Sequence, residues 1–154
     1  MRSVLFVAYH YPPIRSAGVN RSVSFIHYLR KLGYSCKVLT TSAFGGCGDA
    51  LRAWEPISLY RWLFNRKVRS GILDSENRIP RGFLSRFLRK LLIPDAQVFW
   101  IPMAFIIGLF YIRKQKCDLI YSSFPPASGH LIAFFLHLCT GLPWVADFRD
   151  SWIF

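Results

Sequence analysis

The chain has 154 residues, 53% of them hydrophobic and 17% aromatic, enough to bury the core of one domain and to exclude intrinsic disorder. Its 20 basic and 8 acidic residues leave a net charge of +12. That imbalance points to an anionic partner (nucleic acid, anionic lipid or a phosphate-bearing substrate), with a merely basic soluble surface as the other reading. The four cysteines, Cys36, Cys47, Cys117 and Cys139, form no C-x-x-C pair and have no His at finger-like distance. They argue against a zinc site and read as reduced, buried thiols of a cytoplasmic protein.

The opening MRSVLFVAYHYPP lacks a small-residue cleavage site and does not read as a signal peptide. Val4–Tyr9 is a continuous apolar run, as expected of a strand buried on both faces. HYPPIRSAG follows as a loop. Val19, Val23, Ile26 and Leu29 then fall at helical spacing, with Arg30 and Lys31 in the last turn and Gly33 beyond it. Cys36–Thr40 predicts a second strand, completing a βαβ unit. From Thr41 to Arg81 the pattern is loose. FGGCGDA reads as a flexible turn, and Ile57–Arg61 as a candidate third strand.

Arg81–Leu92 predicts an amphipathic helix, with Phe83, Phe87 and Leu91 on one face and Arg86, Arg89 and Lys90 on the other. Val98–Ile112 is uncharged. It falls short of the roughly 20 residues of a spanning helix, and Pro102 interrupts it, so it predicts an interior helix, with a dip into a membrane as the other reading. Asp118–Ser122 predicts a strand, SFPPAS a loop and Gly129–Cys139 a helix apolar nearly all round. Gly141 ends that helix, and Leu142–Phe148 predicts the final strand. Alternating strands and helices imply a Rossmann-like open parallel sheet with helices on both faces.

In such sheets ligands bind outside the carboxyl ends of the strands. The loops after Tyr9, after Ser122 and after the last strand are thereby expected on one rim. The first carries Ala17 and Gly18 at a helix start, where free N–H groups and the helix dipole favour an anion; the bland alternative is a simple turn. The last carries Asp147, Arg149 and Asp150. Carboxylates there can accept a substrate hydroxyl's hydrogen bond, and an Arg can hold phosphate; the alternative is a self-contained ion pair. His130 opens its helix at the same rim and either contacts substrate or caps. His137 reads as a packed core histidine, and His27 has no special claim. No nucleophile-elbow spacing appears, which argues against a hydrolase triad. The basic helix 81–92 suits an anionic membrane surface or a plain solvated face. Aromatics within apolar runs argue against nucleic acid.

YHYPP…SAGVNRSV…LRKLGYSCKVLTT, IPDAQVFWIPMA, DLIYSSFPPASGHLIA and GLPWVADFRDSW together resemble the amino-terminal domain of family 4 glycosyltransferases of the GT-B fold. The resemblance covers nearly the whole chain. It implies one acceptor-side domain, residues 1–154, of a retaining enzyme whose second domain binds a nucleotide-sugar donor. That donor would be a substrate, with no cofactor and no metal. The acceptor would be a glycan or lipid-linked glycan at the cytoplasmic face of the cell membrane. The resemblance sets Ala17 and Gly18 against the donor diphosphate, with Ala where relatives have a second Gly. It sets Asp147, Arg149 and Asp150 on the acceptor side, Asp147 and Asp150 as the candidates that orient the acceptor hydroxyl. Some relatives have His near position 149. Ser123 and His130 complete the expected substrate-binding set. Relatives are much longer, so the donor-binding domain is expected in cis or in trans, and the chain alone is expected to be inactive. A free-standing phosphate-ligand or partner-binding module and a basic peripheral membrane protein are the alternatives.

Overall fold

The computed structural model describes residues 2–15, 17–46, 48–55, 95 and 97–148. Five strands form one sheet: β1 (Ser3–Val7), β2 (Ser35–Thr41), β3 (Ala50–Ala53), β4 (Leu119–Ser123) and β5 (Trp144–Asp147). Every pairing is parallel, and the order is β3-β2-β1-β4-β5. Among the described residues the α-helices are α1 (Ala17–Lys31), α2 (Ile101–Gln115) and α3 (Ala127–Thr140). This is the expected Rossmann-like open parallel sheet.

The near-continuous apolar strands explain the two-sided core. In β1, Val4 and Phe6 face α1, together with Val38, Tyr121 and Ile26. Leu5 and Val7 face the other way, into Leu39, Ile120, Ala104 and Leu136 beneath α2 and α3. The side-chain period of two distributes one run between two cores. Phe6 stacks on Tyr121 with ring centroids 4.6 Å apart, and Phe25 of α1 covers Tyr121 at 4.9 Å. Gly33, at φ +85°, ends α1: its N–H bonds Arg30 O and the Tyr34 N–H bonds Leu29 O, both at 3.0 Å. That double closure needs the left-handed residue that glycine supplies.

A strand at Ala50–Ala53 follows β2, unforeseen in the sequence, while the expected Ile57–Arg61 strand and 81–92 helix lie outside the described residues. Two further expectations change. Pro102 does not interrupt its helix. It occupies the first turn, where a missing N–H has no intrahelical partner to lose. And α2 is not an interior helix. It buries one line of small or branched residues, Ala104, Gly108 and Ile112, and turns Ile106 and Phe110 outward. Cys36 and Cys117 are buried as expected; Cys139 is exposed, and Cys47 lies outside the described residues.

Candidate functional site

In chain order the strands run outward from β1 to β2 and then resume on its other side at β4. Their carboxyl ends at that switch point form the crevice where open α/β sheets bind ligands. Gly18 stands in the first turn of α1, which carries no acidic side chain. One turn on, Arg21 Nη2 lies 2.6 Å from Asp147 Oδ1 at the end of β5. That ion pair draws the start of α1 toward the last strand. Ser123 is the register partner of Asp147, and the Phe124 N–H donates to the Asp147 carbonyl at 3.1 Å. Gly18, Ser123 and Asp147 are thus gathered on the α1 side of the rim. Ala17 begins the helix. Arg149 and Asp150 lie outside the described residues.

Tyr121 shares this face. Burial pushes its phenol pKa up, and a hydrogen bond to Asp147 with that carboxylate's charge adds to the rise, against a small opposing effect of Arg21. The phenol therefore stays protonated and donates. Asp147 is held by an arginine and a tyrosine, with Arg21 half exposed.

On the opposite side of the sheet lies His130, 7% exposed. Its Nδ1 is 2.7 Å from Ser122 Oγ, which also accepts the Trp144 Nε1–H at 2.8 Å. The other ring nitrogen, Nε2, is buried and has no hydrogen-bond partner among the described residues. A serine has one proton to give, so Nε2 is either an unpartnered donor or an unpartnered acceptor, depending on the tautomer. Burial lowers the His130 pKa, with the charge of Asp147 opposing. The ring is enclosed by Phe148, at 4.5 Å between centroids, and by Phe124 and Trp144. A neutral imidazole with one uncommitted nitrogen can serve a hydroxyl in either sense. Ser122 intervenes between this histidine and the Asp147 face, so the two halves of the candidate site are separated by β4.

The start of α3 is not an open anion site. Asp95 occupies it: Oδ2 accepts the Ser128 N–H at 2.7 Å and Oδ1 takes the Ser128 hydroxyl. A carboxylate at a helix N-terminus satisfies free donors and complements the dipole. Toward β3, Tyr9 donates to the buried Glu55 at 3.0 Å, and Thr40 Oγ1 donates to Tyr9 O at 2.9 Å. His10 packs on Tyr9 and Phe44, and burial lowers its pKa.

Sequence reasoning missed Arg21, Tyr121, Ser122, Trp144, Asp95 and Glu55. Only Tyr121 and Ser122 carried a signal, as the end of a predicted strand; the others depend on contacts between distant segments.

No protein-family model matches this chain, and no curated protein sequence matches it. Solved structures do. SsfS6, a glycosyltransferase of Streptomyces sp. SF2575 complexed with thymidine diphosphate, superposes with a TM-score of 0.52 at 20% identity, over 95% of this chain and 38% of that one. The shared property is the fold. A second structure of SsfS6 gives a TM-score of 0.49 at 16% identity, over 95% of this chain and 39% of that one. A glycosyltransferase from Rickettsia africae gives 0.48 at 16% identity, over 99% and 31%. The chain spans well under half the length of each.

Proposed function

We propose that this chain is the acceptor-side domain of a retaining, metal-independent glycosyltransferase of family 4, acting on a glycan or lipid-linked acceptor at the cytoplasmic face of the membrane. Its donor-binding half is supplied in cis or in trans. The supporting observation is the Arg21–Asp147 ion pair of 2.6 Å, which couples the Gly18 turn to the end of β5. The sequence resemblance and the fold shared with SsfS6 are in keeping with it.

In this reading the first N–H groups of α1 steady the donor diphosphate. Asp147 orients the acceptor hydroxyl, beside Ser123; His130 serves a further hydroxyl, and Arg149 and Asp150 extend the acceptor side. The bond from the sugar's anomeric carbon to the diphosphate oxygen breaks, and a bond from that carbon to the acceptor oxygen forms. The acceptor proton leaves with the diphosphate.

The test is sugar transfer from a panel of nucleotide sugars. The chain alone is expected to be inactive, and supplying the donor-binding half should restore transfer. Asp147→Asn should then lower kcat about 100-fold with an unchanged unfolding midpoint. Turnover by the chain alone, or full activity in the Asn variant, would defeat the reading.

A further inference from the structure

We propose that the outer face of the α2–α3 layer docks on an anionic lipid bilayer. The helix α2 is fixed to the sheet along Ala104, Gly108 and Ile112. A Cβ added at Gly108 would lie 2.9 Å from Leu136 Cδ1 and 3.1 Å from Leu39 Cδ2, so the helix sits close against its neighbours. The opposite line of the helix reads Met103, Ile106 and Phe110, with Ile106 57% and Phe110 72% exposed, and Phe99, in the 3-10 turn just before the helix, extends it. At helical spacing the same line continues into exposed Arg113 and Lys114.

The neighbouring α3 extends the apolar surface with Phe134, Phe135 and Leu138, the last 61% exposed. Phe105 and Phe135 meet edge to face at 6.4 Å and join the two helices. A helix packed on a sheet ordinarily shows polar residues on its far side. A contiguous apolar surface of this kind marks an interaction site.

Charge decides the occupant. Neither helix contains an Asp or Glu, and Arg113, Lys114 and Lys116 edge the surface. A second copy of the chain would bring another +12 against this one, whereas an anionic bilayer attracts it. Large aromatic and aliphatic side chains with flanking cations suit the boundary between headgroups and acyl chains. Among the described residues, Val98–Gln115 is also long and apolar enough to cross a membrane. Crossing would strip Ala104, Gly108 and Ile112 from the sheet, so lying on the surface is the arrangement that preserves the fold. Asp95, just upstream of α2, caps α3 at the rim, so α2 begins beside the crevice. Docking there holds the crevice near lipid, and it stands independently of the chemistry at the rim.

Flotation of the whole chain with vesicles tests this. The chain should float with vesicles of phosphatidylcholine and phosphatidylglycerol, and less with phosphatidylcholine alone or at high salt. Ile106→Asp with Phe110→Asp should weaken partitioning by about tenfold or more. Arg113→Glu with Lys114→Glu should weaken it about tenfold on anionic vesicles only. Both pairs are exposed, and circular dichroism should be unchanged. Four results would overturn the proposal. They are failure of the wild-type chain to float, binding of both paired variants like the wild type, loss of binding only on reversing Arg86, Arg89 and Lys90, and conversion of a dimer to a monomer by the Asp pair without vesicle binding. Resistance to extraction by alkaline carbonate would indicate a spanning helix instead.

Discussion

His130 and His137 lie on one face of α3, two turns apart, and both rings approach Trp144, at 6.2 and 6.4 Å. The helix treats them alike; the sheet does not. His130 sits at the carboxyl rim, buried, with Nδ1 on a side chain and Nε2 without a partner among the described residues. His137 sits at the far end, where its Nδ1 donates to the Leu142 carbonyl at 2.6 Å and closes the turn into β5. Gly141, at φ +69°, makes the same turn possible and bonds back to His137 O at 2.8 Å. Identical side chains therefore divide by position: at the closed end His137 Nδ1 is committed to a backbone carbonyl, and at the open end a buried nitrogen of His130 has no partner among the described residues.

The strongest way to break this contrast is to remove the group beneath His130. Ser122→Ala strands the Trp144 indole N–H and His130 Nδ1 together. Leaving two buried polar groups unmatched should destabilise the fold by about 2 to 4 kcal/mol, read as a lower urea midpoint at unchanged slope. A midpoint within error of the wild type would show that water replaces the hydroxyl and that the rim is wetter than its burial indicates.

A smaller effect follows from protonation. The folded His130 pKa is lowered by burial, so between that value and the unfolded value of about 6.5 the unfolded chain binds more protons. Stability is complete above that range and falls as pH drops through it. His10 is shifted in the same direction for the same reason and contributes its own part. His130→Gln should make the loss of stability as pH falls below about 6.5 shallower without abolishing it. An unchanged slope would locate the titration elsewhere.

At the closed end, His137→Ala deletes one hydrogen bond to a backbone carbonyl. The expected loss is about 1 kcal/mol, with the pH dependence due to His130 left in place. If this variant also flattened the pH profile, the distinction between the two ends of α3 would fail.

Much of this geometry was legible because it is local. Apolar runs marked β1, β4 and most of β5, and Gly33 and Gly141 marked the ends of α1 and α3. Strand ends then gave Gly18, Ser123, His130 and Asp147 as rim residues. β3 escaped because ALRA is a short strand beyond β2, with too few side chains to show a period. The uncharged run of α2 could not reveal that only every fourth residue meets the sheet. His137 looked like core because its neighbours are apolar, yet its ring nitrogen serves a carbonyl beyond the helix. Arg21 and Asp147, like Asp95 and Ser128, are joined by topology across long stretches of chain, and spacing carries no trace of such pairs.

The smallest expected effect concerns the ion pair between α1 and the end of β5. Arg21 is 49% exposed and Asp147 16%, so water competes for the pair and salt screens it. Arg21→Met keeps an unbranched apolar stem at this position and removes the charge. Stability should change by less than about 1 kcal/mol. Tyr121 should still donate to Asp147, since burial, the first cause of its raised pKa, is untouched. If the pair instead proved worth several kcal/mol, Asp147 would be a structural anchor like Asp95, committed to its partners and unable to turn toward an incoming hydroxyl. A weak pair is what a working carboxylate at this rim requires, because substrate has to compete with Arg21 for the same oxygen.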